Sequence, residues 1–182
     1  MADLNRMTPP GILSLKREYE RALHAMLEDG GVMQYPDANS TMRITCGAVS
    51  TLEPRDGVLC SWRSTASGIL EKHDPSTHDF ALNDRHRALL ESADWGRWGV
   101  DGDMYVDFLT DNDITGGNSG SPVLNAEGKL IGLAFDGNKE SLAGSCLYVP
   151  GYNMCVCVDI RHVLWILDRY AGMDRIMSEL GY

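Results

Sequence analysis

One segment of this 182-residue chain combines residue types and a spacing that suit nucleophilic catalysis, and it reads Thr115-Gly116-Gly117-Asn118-Ser119-Gly120-Ser121-Pro122. A serine hydroxyl becomes a useful nucleophile only when a base takes its proton and donors stabilise the developing oxyanion. Glycines beside a serine let successive backbone N–H groups point into one small space. We therefore expect Ser119 to supply the attacking oxygen, with the N–H groups of Gly117 and Ser119 as the oxyanion donors. The alternative is a glycine-rich loop in which Ser119 only caps a turn.

The segments on either side of this loop are typical of strands that would hold it in place. Apolar and β-branched runs bounded by turn residues predict four of them: Met104–Leu109, Ser121–Leu124, Leu130–Phe135 and Asn153–Val158. Asn125–Gly128 has the composition of a tight hairpin turn between the second and the third. Further strand-like runs lie at Ser40–Cys46 and around Val58–Trp62. We expect a mainly β fold built on a small antiparallel barrel.

Helical patterns flank this strand-rich region. Apolar residues recur at helical spacing from Ile12 to Leu27, until Gly30-Gly31 interrupts the pattern. Further helices are predicted at Asn83–Ser92, with Asn83 as the N-cap, at Ile160–Tyr170 and at Met173–Leu180. The sequence thus predicts an N-terminal helical segment, residues 1–31, and a β-barrel with a terminal helix, residues 32–182.

The composition excludes several classes of partner. Sixteen Lys and Arg against 26 Asp and Glu give a formal net charge of −10, which repels phosphate backbones and anionic lipids. Nucleic acids and membranes are therefore not expected as partners, and Met1–Arg6 has no pattern of a secretory signal. The five cysteines form no CxxC pair, so buried free thiols are expected rather than a metal site or a cofactor.

The nucleophile loop, with the strand, turn and strand that follow it, resembles that of chymotrypsin-like serine peptidases. Asn118 matches bacterial members, which have Asn before the serine. Further segments occur in the same order as in the bacterial dipeptidyl-peptidase 7 and 11 family, and they narrow the resemblance to it: Tyr35–Thr41, Glu71–Lys72 before Asp74–Pro75, Asn112–Asn125, Leu130–Asn138 and Val158–Arg161.

This resemblance implies a fold and a set of roles. The family has a chymotrypsin-like double barrel with an inserted helical domain, and the chain is similar to the barrel half that carries the nucleophile. Ser119 is implied as the nucleophile, Gly117 as an oxyanion donor and Asn118 as a further residue of the catalytic loop. The strand end Phe135-Asp136-Gly137 is implied as the edge beside the substrate. Asp136 is implied to lie near the free α-amino group, because a buried ammonium needs a charged acceptor. Acid-specific members carry Arg at the position of Gly137, so a glycine there favours an apolar P1 residue.

The resemblance does not imply a catalytic base in this chain. The catalytic His and Asp of the family lie in the N-terminal barrel, and none of the five histidines here matches that motif. His162 is expected to be structural and His86 to be solvated on its helix. His73 and His78, beside Asp74 and Asp79, lack a fixed ligand geometry.

Asp113 leaves an alternative open. It precedes Ser119 by six residues, the offset at which trypsin-like enzymes place the carboxylate that selects Lys or Arg. We expect a structural role instead, because Asp also suits this turn by binding backbone N–H groups.

The function that the resemblance implies is the C-terminal half of a serine dipeptidyl-peptidase, which releases dipeptides from free N-termini. Without a base it should be nearly inactive until another polypeptide segment supplies one. The implied substrate is a peptide with a free N-terminus. The implied protein partner is either a complementing N-terminal barrel or a second copy of the chain. The implied compartment is the periplasm or the cell surface. A V8-like or HtrA-like endopeptidase and a non-catalytic interaction module are the alternatives.

Overall fold

The computed structural model of the chain describes residues 9, 11–32, 42–142, 144 and 148–182. The chain divides into two compact units, Met1–Pro36 and Asp37–Tyr182. In the first unit, helix α1 spans Ile12–Asp29, and none of its residues is buried. It ends at Gly30, and Gly31 follows with a positive φ of 68°, so the predicted interruption at these two glycines is confirmed.

The second unit is built on antiparallel strands. Their bounds are β1 Leu52–Arg55, β2 Val58–Cys60, β3 Arg63–Thr65, β4 Tyr105–Thr110, β5 Pro122–Leu124, β6 Leu130–Gly137 and β7 Cys155–Asp159. Strands β3 to β7 form a five-stranded sheet in the order β3-β4-β7-β6-β5, and β1 pairs with β2 in a separate sheet. The four strands predicted around the nucleophile loop are confirmed, and their ends shift by no more than one or two residues.

Two details differ from the sequence-based expectation. The mainly β class with flanking helices is confirmed. The described strands, however, form an open sheet and a hairpin rather than a closed barrel, because β3 and β5 are edge strands of the five-stranded sheet.

The strand predicted at Ser40–Cys46 is wrong for the described part, since residues 42–46 are irregular; Ser40 and Thr41 lie outside the described residues. The side chains of Met42 and Ile44 are 89% and 74% exposed, so this apolar run covers no core. Val49 forms an isolated antiparallel bridge with Thr110 at the end of β4.

Helices pack near the end of the sheet that lies away from the nucleophile loop. Their bounds are α2 Ala66–Glu71, α3 Asp84–Ser92, α4 Ile160–Trp165, which continues as a π-helical stretch over Ile166–Tyr170, and α5 Asp174–Glu179. The predicted N-cap of α3 is confirmed, because the Asn83 side chain accepts a hydrogen bond of 2.9 Å from the N–H of His86. Among the helices of the described residues, none has both the length and the apolar character to cross a bilayer.

Two apolar clusters stabilise the second unit. The first, here called the helical cluster, consists of Ala66, Leu90, Trp95, Trp98, Met104, Leu164, Trp165 and Met177. The second, here called the sheet cluster, consists of Phe108, Ala134, Cys155 and Cys157. Half-buried Ile114 and Val123 pack against the sheet cluster from the two ends of the nucleophile loop. The loop is therefore attached to a packed surface at both of its ends.

The thiols follow the expected pattern only in part. Cys155 and Cys157 are buried and free, with their sulfur atoms 3.5 Å apart, whereas Cys46 is exposed and Cys60 half-buried. The hydrogen bond with Cys157 and burial together raise the pKa of the Cys155 thiol. Cys146 lies outside the described residues.

Candidate active site

The nucleophile loop, residues 111–121, connects β4 to β5 and is fastened to β6 by backbone hydrogen bonds. The N–H of Gly120 donates to the carbonyl of Ala134 over 2.7 Å, and the N–H of Ala134 donates to the carbonyl of Ser121 over 2.9 Å. Gly117 and Gly120 have positive φ angles of 105° and 81°, which side-chain-bearing residues rarely adopt. The glycines are thus required by the path of the loop.

The backbone amides of this loop fall into two groups. The N–H of Asn118 donates to the Thr115 carbonyl over 3.1 Å, and the N–H of Ser121 donates to the Asn118 carbonyl over 2.9 Å. Within the described part of the chain, the N–H groups of Gly117 and Ser119 donate to no acceptor, and the side chain of Ser119 is exposed. The two amides predicted as oxyanion donors are therefore available beside an accessible hydroxyl.

A cavity of about 480 Å³ opens beside Ser119. Apolar side chains supply much of its lining: Ile114, Ala134, Phe135, Leu142 and Met154. Its charged lining residues are Asp113, Asp136 and Lys139. The cavity can thus hold an apolar side chain with polar groups of a peptide near its rim.

The three predicted substrate-contacting residues line this same cavity at the end of β6. The β6–β7 pairing shifts register between Ala134 and Asp136, so Phe135 is the bulged residue and its side chain is 61% exposed. One carboxylate oxygen of Asp136, Oδ1, accepts a hydrogen bond of 2.7 Å from the N–H of Gly137. The structure therefore brings Ser119, Phe135, Asp136 and Gly137 to one site, although it does not test their roles.

Gly137 packs closely against Ser141 in the cavity wall. A Cβ atom built there would lie 2.5 Å from Ser141 Oγ, which itself donates to the carbonyl of Asn138 over 2.7 Å. Any larger residue at position 137 therefore requires Ser141 to move. The 3₁₀ turn Lys139–Ser141 forms this part of the wall.

Arg43 is a contact of the site that the sequence did not reveal. Its Nη2 donates to Oδ1 of Asn118 over 2.6 Å, and the same oxygen accepts the N–H of Thr115 over 3.1 Å. Asn118 is thereby fixed from outside the loop, next to Ser119. Arg43 lies 75 residues before Asn118 in a segment with no motif, so no local pattern could have indicated the contact.

Asp113 does not make the backbone hydrogen bonds that were expected of it. Within the described residues its carboxylate accepts none; the neighbouring Asp111 makes such a bond instead, with Oδ1 accepting the N–H of Ala48 over 2.5 Å. Asp113 is half-buried and lines the cavity. Burial raises the pKa of its carboxyl group, and the positive charge of Arg43 partly offsets that rise.

The histidines of the second unit lie away from the cavity. Among the described lining residues none is a histidine, and no group of three His, Cys, Asp or Glu side chains in the described part could hold a metal ion. The expectation of a solvated His86 is wrong, because its ring packs on Tyr170 with centroids 5.0 Å apart. His162 stacks on Trp165, and burial lowers the pKa of both imidazoles.

Comparison with known proteins adds independent information on this arrangement. The sequence pattern of the Peptidase S46 family matches residues 5–182. The chain is 44% identical over 166 residues to a dipeptidyl-peptidase 7 of Porphyromonas endodontalis, which covers 91% of this chain and 20% of that protein. It is 43% identical over 146 residues to an Asp/Glu-specific dipeptidyl-peptidase of the same organism, which covers 80% of this chain and 20% of that protein.

A solved structure gives the same result for the fold. The crystal structure of Porphyromonas endodontalis DPP11 in complex with the dipeptide Arg-Glu matches with a TM-score of 0.80 and 40% identity, over 87% of this chain and 23% of that one. The chain therefore spans about a fifth of the length of the curated relatives that it matches.

Proposed function

The chain belongs to the Peptidase S46 family, and we propose that it is the nucleophile-bearing C-terminal part of a serine dipeptidyl-peptidase. The observation that carries this proposal is an exposed Ser119 in a loop where the backbone amides of Gly117 and Ser119 donate to no acceptor in the described residues. In this proposal residues 1–31 belong to the helical domain of the whole enzyme and residues 32–182 to its second barrel.

The chemistry follows from this geometry. Ser119 Oγ attacks the carbonyl carbon of the scissile peptide bond, and its proton passes to a base outside the described cavity. The carbonyl oxygen becomes an oxyanion, which the N–H groups of Gly117 and Ser119 stabilise. The C–N bond then breaks, the leaving amine takes the proton from the base, and a water molecule later hydrolyses the acyl-enzyme.

Asp136 is proposed to hold the α-ammonium group of the substrate. Its carboxylate is exposed at the end of β6, and Oδ2 has no protein donor among the described residues. A charged hydrogen bond from an ammonium to a carboxylate is about twice as strong as a neutral one. Such an anchor at a fixed distance from Ser119 would make the enzyme release dipeptides.

The P1 residue is proposed to be apolar. Overall identity does not distinguish the two kinds of relative, since it is 44% to a dipeptidyl-peptidase 7 and 43% to an Asp/Glu-specific enzyme. The cavity lining supports an apolar residue: Ile114, Phe135, Leu142 and Met154 offer apolar surface, and Gly137 brings no cation to the wall. An acidic P1 side chain would find in this lining only the ammonium of Lys139, whose side chain is 89% exposed and already lies 3.8 Å from Glu140.

The proposal can be tested with a hybrid enzyme. In this hybrid, the present chain takes the place of the homologous segment of the Porphyromonas endodontalis dipeptidyl-peptidase 7, and the rest of that enzyme can supply a base. We expect this hybrid to cleave a peptide with Leu at P1 and a free N-terminus, and to leave its N-acetylated form intact. Equal cleavage of both forms would point to an endopeptidase, and no cleavage of either would contradict the proposal.

Two variants complete this test. Ser119→Ala should lower kcat by about three orders of magnitude or more, because removal of a nucleophile leaves only the oxyanion site and binding. Ser121→Ala is the matched control, since it removes a hydroxyl two residues away in the same loop. Its activity should stay near that of the unmodified hybrid.

A further inference from the structure

We propose that Arg43 cancels the charge of Asp113 at the cavity wall and thereby makes the pocket accept uncharged rather than basic side chains. The inference rests on the proposed function only in treating this cavity as the P1 pocket. It concerns the side chain that the cavity selects, and so it can fail or hold independently of peptidase activity.

The guanidinium of Arg43 is held in a fixed place. Its Nη2 donates to Asn118 Oδ1 over 2.6 Å, and that oxygen is in turn fixed by the N–H of Thr115. Because Asn118 itself lines the cavity, this hydrogen bond keeps the positive charge of Arg43 beside the pocket. Arg43 is therefore positioned by the nucleophile loop.

Asp113 is the carboxylate that needs this charge. It is half-buried in the cavity wall and accepts no hydrogen bond from the described residues. A buried carboxylate without a partner is costly, and it is also the group that binds the ammonium of Lys or the guanidinium of Arg. Arg43 acts on Asp113 electrostatically, since its charge lowers the pKa that burial raises.

The other charged groups of the cavity do not replace Arg43. The side chain of Lys139 is 89% exposed, and its Nζ lies 3.8 Å from a carboxylate oxygen of Glu140. Asp136 adds a second negative charge to the lining. The charged lining residues are thus two carboxylates and one solvated ammonium, so without the nearby charge of Arg43 the described lining would favour a cation.

The test uses a pair of probes that differ only in charge, benzamidine and benzamide. Binding to the full chain is followed by the amide NMR signals of Thr115 and Gly116 at pH 8, because burial raises the pKa of Asp113 and a high pH favours its ionised form. We expect the unmodified chain to bind benzamidine no better than benzamide. Arg43→Met should strengthen benzamidine binding about tenfold or more, because an unpaired buried carboxylate then meets a cation.

Three further variants separate this effect from others. In Arg43→Met with Asp113→Asn the gain should disappear, because the anion is gone. Arg43→Lys keeps the charge and should bind the probes as the unmodified chain does. Arg87→Met removes an exposed arginine of α3 and controls for the change in net charge.

The benzamidine measurements can support or overturn the proposed role of Arg43. A benzamidine gain in Arg43→Met that depends on Asp113 supports it, including in a Ser119→Ala background. It is overturned by an Arg43→Met variant that folds with the melting temperature of Arg87→Met but binds benzamidine no better than before. It is equally overturned if the unmodified chain already prefers benzamidine and loses that preference in Asp113→Asn. Failure of the hybrid to cleave peptides would refute the proposed function without touching these results.

Discussion

The helical cluster and the nucleophile loop belong to the same unit but differ in how far their side chains and backbone amides are shielded from solvent. In the helical cluster Trp165 is fully buried at 0% exposure, and the ring N–H of the neighbouring Trp98 donates to Asp168 Oδ2 over 2.9 Å. In the nucleophile loop Ser119 is exposed and two backbone amides of the described loop stay without acceptors. One region is closed and packed, and the other is open to solvent.

The two regions are also stabilised by different kinds of contact. The helical cluster is fixed by apolar packing, which is not directional and tolerates little empty space. The loop is fixed by a few polar contacts to distant elements, such as those from Arg43 to Asn118 and from Gly120 to Ala134. Substitutions in the first region should therefore alter folding, and substitutions in the second should alter what the cavity binds.

The largest expected effect is on stability. Trp165→Ala should lower the free energy of unfolding by about 3–5 kcal/mol, because it empties a fully buried aromatic site. Urea denaturation followed by circular dichroism measures this. Phe135→Ala, at an aromatic residue that is 61% exposed beside the cavity, should cost less than about 1 kcal/mol. Similar losses for the two variants would break the distinction between the regions.

A smaller expected effect concerns specificity. Gly137→Arg combined with Ser141→Ala should shift the hybrid enzyme toward Asp or Glu at P1 by about 100-fold in the ratio of kcat/KM values, since a charged hydrogen bond contributes about 1.5–3 kcal/mol. Ser141→Ala is needed because a Cβ at position 137 would lie 2.5 Å from Ser141 Oγ. Ser141→Ala alone is the control, and it should keep the apolar preference. If the double variant keeps the same ratio of kcat/KM values, position 137 does not determine which P1 side chain the enzyme prefers.

The two regions also differ in how far the sequence predicted them. Local patterns were sufficient for the strands around the loop, for the Asn83 cap of α3 and for the end of α1 at Gly30, because each depends on neighbouring residues. The contact of Arg43 with Asn118 joins residues 75 positions apart and has no local signature.

The remaining differences have the same origin. The packing of His86 on Tyr170 depends on how α3 meets the helix after β7, which spacing along α3 does not encode. The sequence likewise predicts strands but not whether their edges close into a barrel. Barrel closure and the burial of His86 both depend on contacts between elements that are far apart in the sequence, and a local sequence pattern does not contain that information.

The smallest expected effect is on pH dependence. Burial lowers the pKa of His162, so the folded state resists protonation more than the unfolded state does. Stability should therefore fall as the pH drops below about 6.5, at no more than about 1.4 kcal/mol per pH unit for this group. Charged groups near it, Asp107 and Asp159, oppose this shift, and His86 adds to it.

His162→Phe removes this titration while keeping an aromatic ring against Trp165. Its unfolding free energy, measured by urea denaturation between pH 7 and pH 5, should decline less than that of the unmodified chain. His78→Phe changes a fully exposed histidine and should leave the decline as it was. Parallel declines in His162→Phe and the unmodified chain would show that acid weakens another part of the protein.

The central claim is that Ser119, which is exposed in a loop with two backbone amides that donate to no acceptor in the described residues, acts as a nucleophile once a base is supplied. A fluorophosphonate probe tests it directly, because the probe phosphonylates an activated serine, displaces fluoride and is then located by mass spectrometry. We expect rapid labelling of Ser119 in the hybrid enzyme and little labelling of the isolated chain. The Ser119→Ala hybrid should show no labelling, and the Ser121→Ala hybrid should be labelled fully. Labelling of a different residue in the hybrid, or none at all in a folded hybrid, would contradict it.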